Sequence, residues 1–138
     1  MLQTIDVDHP HPYPARISEF SRPFWAALAE GRFTTTRSRA TGRLTFPPKP
    51  ISPSDWTSDM EWVDLSGRGT IYSHTTIHAA PSAFVGELPY SVCIVDLDEG
   101  LRMATRFIGS GPAEIGMRVE IVIVRHTDVL SYAVRATG

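Results

Sequence analysis

Arg37, Arg39, Arg43 and Lys49 form the one dense group of cations in the chain. A planar guanidinium fork pairs well with phosphate oxygens, so these four are the candidate contacts for a phosphorylated ligand. The other chemistry-bearing residues read more plainly. His74 and His78 sit at an even spacing in a β-type stretch and so share a face, but no third ligand stands near them; the expectation is two strand histidines rather than a metal site. Cys93 lies between Val92 and Ile94 and reads as a buried, inert thiol. His126 and Asp128 flank a turn and read as solvated polar residues, and Asp96, Asp98 and Glu99 as the acids of a hairpin tip. Gly67-Arg68-Gly69 lacks the third glycine and the following helix of a dinucleotide loop, and reads as a tight bend into a strand. There is no G-x-S-x-G elbow, no Walker loop and no H-E-x-x-H pair. No spacing sets a nucleophile beside a base, so catalysis with His74 or His126 as base ranks last among the readings.

The elements that must position these residues fit one compact domain. The chain has 138 residues, 42% hydrophobic and 20% charged, an ordinary globular composition. A net charge of -2 argues against a protein built to neutralise many phosphates. The single cysteine excludes an intrachain disulfide and fits a reducing compartment. No secretory signal is readable at the N-terminus, and no apolar run approaches the roughly 20 residues of a membrane span. The expected location is the cytoplasm.

Residues 1–16 are expected as an extended or mobile arm, because prolines alternate with His9, His11 and Tyr13; Tyr13 and Ile17 are its anchors if it docks. Residues 17–36 are the helix region: Ser21 caps, Pro23 sits in the first turn and Gly31 stops the helix. Phe24, Leu28 and Trp25 give it an apolar face that must pack on the rest of the chain or on another subunit, which leaves a homo-oligomer open. Residues 37–59 are a proline-rich connector with one short strand over Arg43-Leu44-Thr45-Phe46. From residue 60 onward the pattern is β: strands at Glu61–Leu65, Thr70–His78, Tyr90–Leu97, Leu101–Ile108, Met117–Val124 and Val129–Val134, with Asp98-Glu99-Gly100 as a hairpin turn. The fold class is mainly β, a five- to six-stranded OB-fold barrel behind an N-terminal helix, with a β-sandwich as the alternative.

Taken in order, Pro23-Phe24-Trp25, Glu30-Gly31, Gly42, Phe46-Pro47-Pro48-Lys49, Gly67-Arg68-Gly69-Thr70, Asp98-Glu99-Gly100 and Ile115-Gly116-Met117 resemble a known pattern. It is that of the OB-fold, acyl-CoA-associated proteins of domain of unknown function 35, which join a rubredoxin-like zinc ribbon to an OB-fold behind an N-terminal helix. The resemblance runs from Ile17 to Val124. It departs at the ribbon, where the four cysteine positions of the family fall on Ser38, Thr41, Ser52 and Asp55. Neutral hydroxyls do not replace thiolates on zinc, so the expectation is a degenerate ribbon with no metal and no cofactor. Side-chain bonds from those four residues and packing of Leu44, Phe46 and Trp56 would then hold it.

The resemblance implies a non-catalytic accessory subunit for a thiolase-like or hydratase-like enzyme. Acyl-CoA is the ligand shared with that partner, and Arg37, Arg39, Arg43 and Lys49 are the candidate CoA contacts. Phe24, Trp25, Phe46, Pro47 and Pro48 are the candidate partner interface. The alternative is a single-stranded nucleic-acid-binding OB-fold using Tyr72, Tyr90 and Phe107, which the acidic balance disfavours.

Overall fold

The computed structural model describes residues 1–137. Its strands are β1 (Gln3–Asp6), β2 (Phe33–Ser38), β3 (Leu44–Thr45), β4 (Met60–Leu65), β5 (Arg68–Ile77), β6 (Tyr90–Leu97), β7 (Arg102–Phe107), β8 (Arg118–Arg125) and β9 (Leu130–Ala136), with one helix, α1 (Arg22–Ala29), after β1. A short 3-10 helix, Ser82–Glu87, joins β5 to β6. Strands β8, β5, β6, β7 and β9 run side by side, and β9 pairs back onto β8 to close a barrel. The mainly β, OB-fold expectation therefore holds.

The barrel core follows from strict alternation. Cys93, Val95 and Leu97 of β6, and Met103, Thr105 and Phe107 of β7, point inward with polar or half-exposed neighbours between them. The hairpin between those strands turns where expected, on Gly100 at φ +94°. Gly69 is needed for a different reason: a Cβ there would lie 2.5 Å from the Asp96 carbonyl oxygen, so β5 approaches β6 only without a side chain.

Strand β8 breaks the alternation, with Ile121, Val122, Ile123 and Val124 all buried. The reason is β1, which lies parallel to Val122–Arg125, while β5 takes only Arg118–Glu120 of the same edge. Ile5 and Val7 then cover Val122, Val124 and Ala133, a second apolar cluster on the outside of the barrel. The arm expected as extended or mobile thus begins as a paired strand.

Strand β4 does not enter the barrel. It pairs antiparallel with β2, which also pairs with β3, in a separate three-stranded sheet. The barrel therefore starts at Arg68 rather than at residue 60. Strand β2 lay hidden in the expected helix region because it lacks an alternating apolar pattern: Thr34, Thr35, Thr36 and Ser38 are all buried. Two of its hydroxyls hold the proline-rich connector. Thr36 Oγ1 accepts the Lys49 N–H at 2.8 Å and contacts the Lys49 carbonyl at 2.9 Å, and Thr35 Oγ1 donates to the Thr45 carbonyl.

Helix α1 lays Phe24, Ala27 and Leu28 onto this sheet and the barrel. Ser21 does not cap it; its hydroxyl bonds to Ser18 instead. The C-terminal stop is as expected, with Gly31 at φ +84°, its N–H on the Leu28 carbonyl and the Arg32 N–H on the Ala27 carbonyl. Among the described residues no helix is long and apolar enough to cross a membrane.

Candidate functional site

An aromatic junction joins the helix, the small sheet and the barrel. The ring of Phe33 lies 5.7 Å from Phe24, 5.3 Å from Phe46 and 5.4 Å from Tyr132, all centroid to centroid. Phe24 also meets Trp25 edge-on at 5.0 Å. Burial raises the Tyr132 phenol above its ordinary pKa. Above this junction a pocket of about 180 Å³ is lined by Phe24, Trp25, Phe46, Pro47 and Pro48, with Arg16, Ser21 and Tyr132 completing it. All five candidate interface residues thus converge on one place. Phe24, however, is only 4% exposed, so it forms the floor of this pocket and offers almost no surface of its own.

Trp25 is the hinge of the surface. It also lines a wider cleft of about 410 Å³, with Ala15 and Ile17 of the arm and Val129 and Leu130 of the β8–β9 turn, and a third depression with Tyr13 and Ser131. The candidate anchors Tyr13 and Ile17 remain 71% and 52% exposed.

The basic group divides in two. Arg37 Nε bonds Glu61 Oε1 at 2.9 Å, and Arg39 reaches Asp59 at 2.9 Å and Glu61 at 3.3 Å. Arg37, then Arg39, hold the Glu61 carboxyl below its ordinary pKa, and Asp59, then Glu61, raise Arg39. These two arginines tie β2 to β4 and its approach. Arg43 and Lys49 are exposed and make no ion pair among the described residues, so of the four candidates only these two keep free charged heads.

All four positions that would carry cysteines accept a backbone N–H. Ser38 Oγ takes Thr41 at 3.2 Å, Thr41 Oγ1 takes Arg43 at 3.3 Å, Ser52 Oγ takes Ser54 at 3.4 Å and Asp55 Oδ1 takes Thr57 at 3.3 Å. Three neutral hydroxyls and one carboxylate, each already used in a turn, do not fit a structural zinc. No group of three or more His, Cys, Asp or Glu among the described residues is arranged to hold a metal ion. Leu44 and Phe46 pack against the core as expected, but Trp56 does not: it is 81% exposed.

The remaining candidates fall as follows. Cys93 is buried, and its thiol is pushed up to about 11 by desolvation, which keeps it neutral and inert. His74 and His78 are exposed, on β5 and just past its end. Asp96 pairs with Arg102 and Asp98 with Arg118, while Glu99 accepts the Ser66 N–H, so the hairpin acids are structural. Of the three candidate stacking residues, Phe107 is buried, Arg106 lies 4.0 Å over Tyr90, and Arg102 lies 3.7 Å over Tyr72, which is itself 52% exposed.

The sequence reading missed one cluster. The arm returns over the barrel and sets the His11 ring 4.7 Å and the His9 ring 5.6 Å from His126. His126 Nε2 meets Ser131 Oγ at 3.0 Å, and its Nδ1 is buried with no partner. Asp128 Oδ1 accepts the His11 N–H at 3.0 Å, and the His9 carbonyl accepts the Thr127 N–H. The repeated His-Pro pairs and the distant His126 were visible, but nothing local joins them.

Burial, then His11 and His9, lower the His126 pKa, against smaller opposing effects of Asp128 and Glu87. The His11 N–H leads in lowering that of Asp128. The two act in the same direction on acidification. The unfolded chain takes up the histidine proton first, so stability falls as pH drops below about 6.5 toward the folded value. The Asp128 contribution is lost lower, as pH falls below about 4 through its folded value. The melting temperature is therefore expected to drop between pH 7 and pH 5, and His126→Gln to flatten that part of a thermal-melt pH series.

Residues 62–124 match the family model described as "ChsH2, C-terminal OB-fold domain". A DUF35 domain-containing scaffold protein of Methanocaldococcus jannaschii is 34% identical over 92 residues, 64% of this chain and 65% of that protein. The 3-oxo-4,17-pregnadiene-20-carboxyl-CoA hydratase alpha subunit of Mycobacterium tuberculosis is 35% identical over 80% of this chain but only 35% of its own length. Benzoylsuccinyl-CoA thiolase subunit BbsA of Thauera aromatica is 35% identical over 68% of this chain and 66% of that subunit. The matched region is thus less than two thirds of each of these relatives. Among solved structures, the "Ltp2-ChsH2(DUF35) aldolase" superposes with a TM-score of 0.76 at 30% identity, over 89% of this chain and 98% of the other.

Proposed function

Because this chain belongs to the DUF35 family of OB-fold proteins, we propose that it is an accessory subunit of a thiolase-like or hydratase-like acyl-CoA enzyme, without catalytic residues of its own. The observation that carries this reading is the surface around Trp25. Three depressions adjoin at one half-exposed indole, the aromatic, pocket-lined arrangement that anchors protein contacts. The chemistry of the candidate residues points the same way. The lone thiol is buried and neutral, and of the hairpin acids Asp96 and Asp98 are held in ion pairs while Glu99 accepts the Ser66 N–H.

In this reading the partner brings the reacting groups. The chain supplies a rigid surface, and Arg43 and Lys49 meet the phosphates of the shared acyl-CoA as point charges or a fork. Arg37 and Arg39 act through Glu61 and Asp59 to keep the small sheet in shape beneath them. The sheet closes on hydrogen bonds and packing, without zinc, and the assembly works in the cytoplasm.

The test is purification of the tagged chain from its source cell, identification of what comes with it, and reconstitution from separately purified parts. A stoichiometric acyl-CoA enzyme is expected in the complex, and no turnover of acyl-CoA by the chain alone. Turnover by the isolated chain overturns the reading.

A further inference from the structure

Between His9 and Ile17 the arm has little to hold it to the barrel. Pro10, Pro12 and Pro14 carry no N–H. Among the described residues two hydrogen bonds tie this stretch down: Thr127 N–H donates to the His9 carbonyl at 3.2 Å, and His11 N–H donates to Asp128 Oδ1 at 3.0 Å. The rest is imidazole packing, with the His11 ring 4.7 Å and the His9 ring 5.6 Å from that of His126. Yet the same stretch supplies walls to the surface at Trp25. Ala15 and Ile17 line the cleft of about 410 Å³, and His11, Tyr13 and Ala15 line the third depression.

Two of the three rings do their part only while neutral. His11 Nδ1 accepts the Tyr13 N–H at 3.0 Å, and an imidazolium has no lone pair to accept it with. His126 Nε2 meets Ser131 Oγ at 3.0 Å, while its Nδ1 is buried without a partner. Protonation sets an N–H on both nitrogens, so one donor of the charged ring is left buried and unpaired. The charges around the cluster do not offset this. Glu87 of the 3-10 helix is paired with Arg106 of β7, and both border the depression under the rings together with Tyr132. Asp6 of β1 is paired with Arg125 of β8. Asp8 of the arm is exposed and does not enter the balance at His126. Asp128 alone, already bonded to the His11 N–H, faces three imidazoles. Burial, then His11 and His9, accordingly keep the His126 pKa below its ordinary value despite Asp128 and Glu87.

We propose that the stretch from His9 to Tyr13 is a proton-released clasp: neutral imidazoles hold the arm to the β8–β9 turn, and protonated ones let it go. In the released arm the rings return to water, where an imidazole takes up its proton near about pH 6.5, while docked His126 takes it up only at lower pH. The released state therefore binds more protons, and docking weakens as pH falls below about 6.5. Strand β1 stays in place, because its pairing with β8 and the apolar cover given by Ile5 and Val7 use no imidazole. Release carries Tyr13, Ala15 and Ile17 away from Trp25 and takes a wall from two of the three depressions there. The clasp stands on this chain alone. Its use, to make affinity for the acyl-CoA enzyme subunit depend on protons, deepens the accessory-subunit reading and rests on it.

The heteronuclear NOE of the Tyr13, Ala15 and Ile17 amides reads the arm between about pH 7.5 and about pH 5.5. Rigid values are expected at the upper end and those of a flexible tail at the lower, with β1, β6 and β7 unchanged. The loss of order should track the ring signals of His126, and the double variant His11→Gln, His126→Gln should lose the pH dependence. Calorimetry with the purified acyl-CoA enzyme subunit reads the consequence. Over the same range wild-type affinity is expected to fall by roughly threefold or more beyond the change in the double variant, which carries the subunit's own titration; one linked proton sets a ceiling of about tenfold per pH unit. An arm still ordered at the lower pH, or already mobile at the upper, overturns the clasp. So does a midpoint apart from that of His126, or a release that the double variant shares. A mobile arm with affinities that change alike in both proteins overturns the regulatory use and leaves the clasp and the accessory reading standing. Absence of any wild-type binding overturns the accessory reading and that use together, while the amide measurement decides the clasp.

Discussion

Replacing Phe33 by alanine is expected to destabilise the chain by about 3–5 kcal/mol, the range for emptying a buried aromatic site. Phe33 is 1% exposed and stands where three elements meet. Its ring faces Phe24 of α1, Phe46 of the connector and Tyr132 of β9. Each of those rings is held by its own element, which limits how far the gap can close. A loss of this size is a large share of the about 5–15 kcal/mol that holds a domain folded. The small sheet should come away from the barrel first, because Phe33, with Leu65, is one of its buried apolar links to the core. Urea unfolding measures the total. Hydrogen exchange at β2 and β4 against β6 and β7 separates the two parts. A cost under about 1 kcal/mol would mean that the junction is not shared in this way.

Trp25→Ser is expected to lower affinity for the partner subunit by roughly 30-fold or more, a loss typical of an aromatic anchor. The indole is half-buried and packs beside the core, so part of the cost falls on the fold. The two parts are separable. Trp25→Phe keeps an apolar ring on the core side and shortens only the part that reaches the three depressions. It should melt near the wild type and still bind the subunit weakly in calorimetry. Unchanged binding of both variants would move the interface away from this surface.

The sequence by itself determined the barrel. Alternating burial in β6 and β7, the Asp98-Glu99-Gly100 turn, the Gly67–Gly69 bend and the glycine stop of α1 are local patterns, and local physical chemistry sets each of them. The order of short motifs along the chain pointed to the family for the same reason: each motif occupies a place that its own turn or strand requires. Inertness of Cys93 was also legible, from the apolar residues beside it.

Tertiary structure decided the rest. Strand β2 is held by buried threonine hydroxyls rather than by an apolar face, so no pattern announced it, and its pairing drew β4 out of the barrel. The arm binds because Val122, Val124 and Ala133 turn outward and need covering, which is visible only once the barrel has closed. His9 and His11 meet His126 across nearly the whole length of the chain. Arg37 and Arg39 lose their freedom to Glu61 and Asp59 by strand pairing. Trp56 reads in sequence as a core residue and stands in water, because turn geometry, not hydrophobicity, fixes where its side chain points. Composition and periodicity record what a residue prefers. Which preferences are met depends on neighbours that the fold alone brings together.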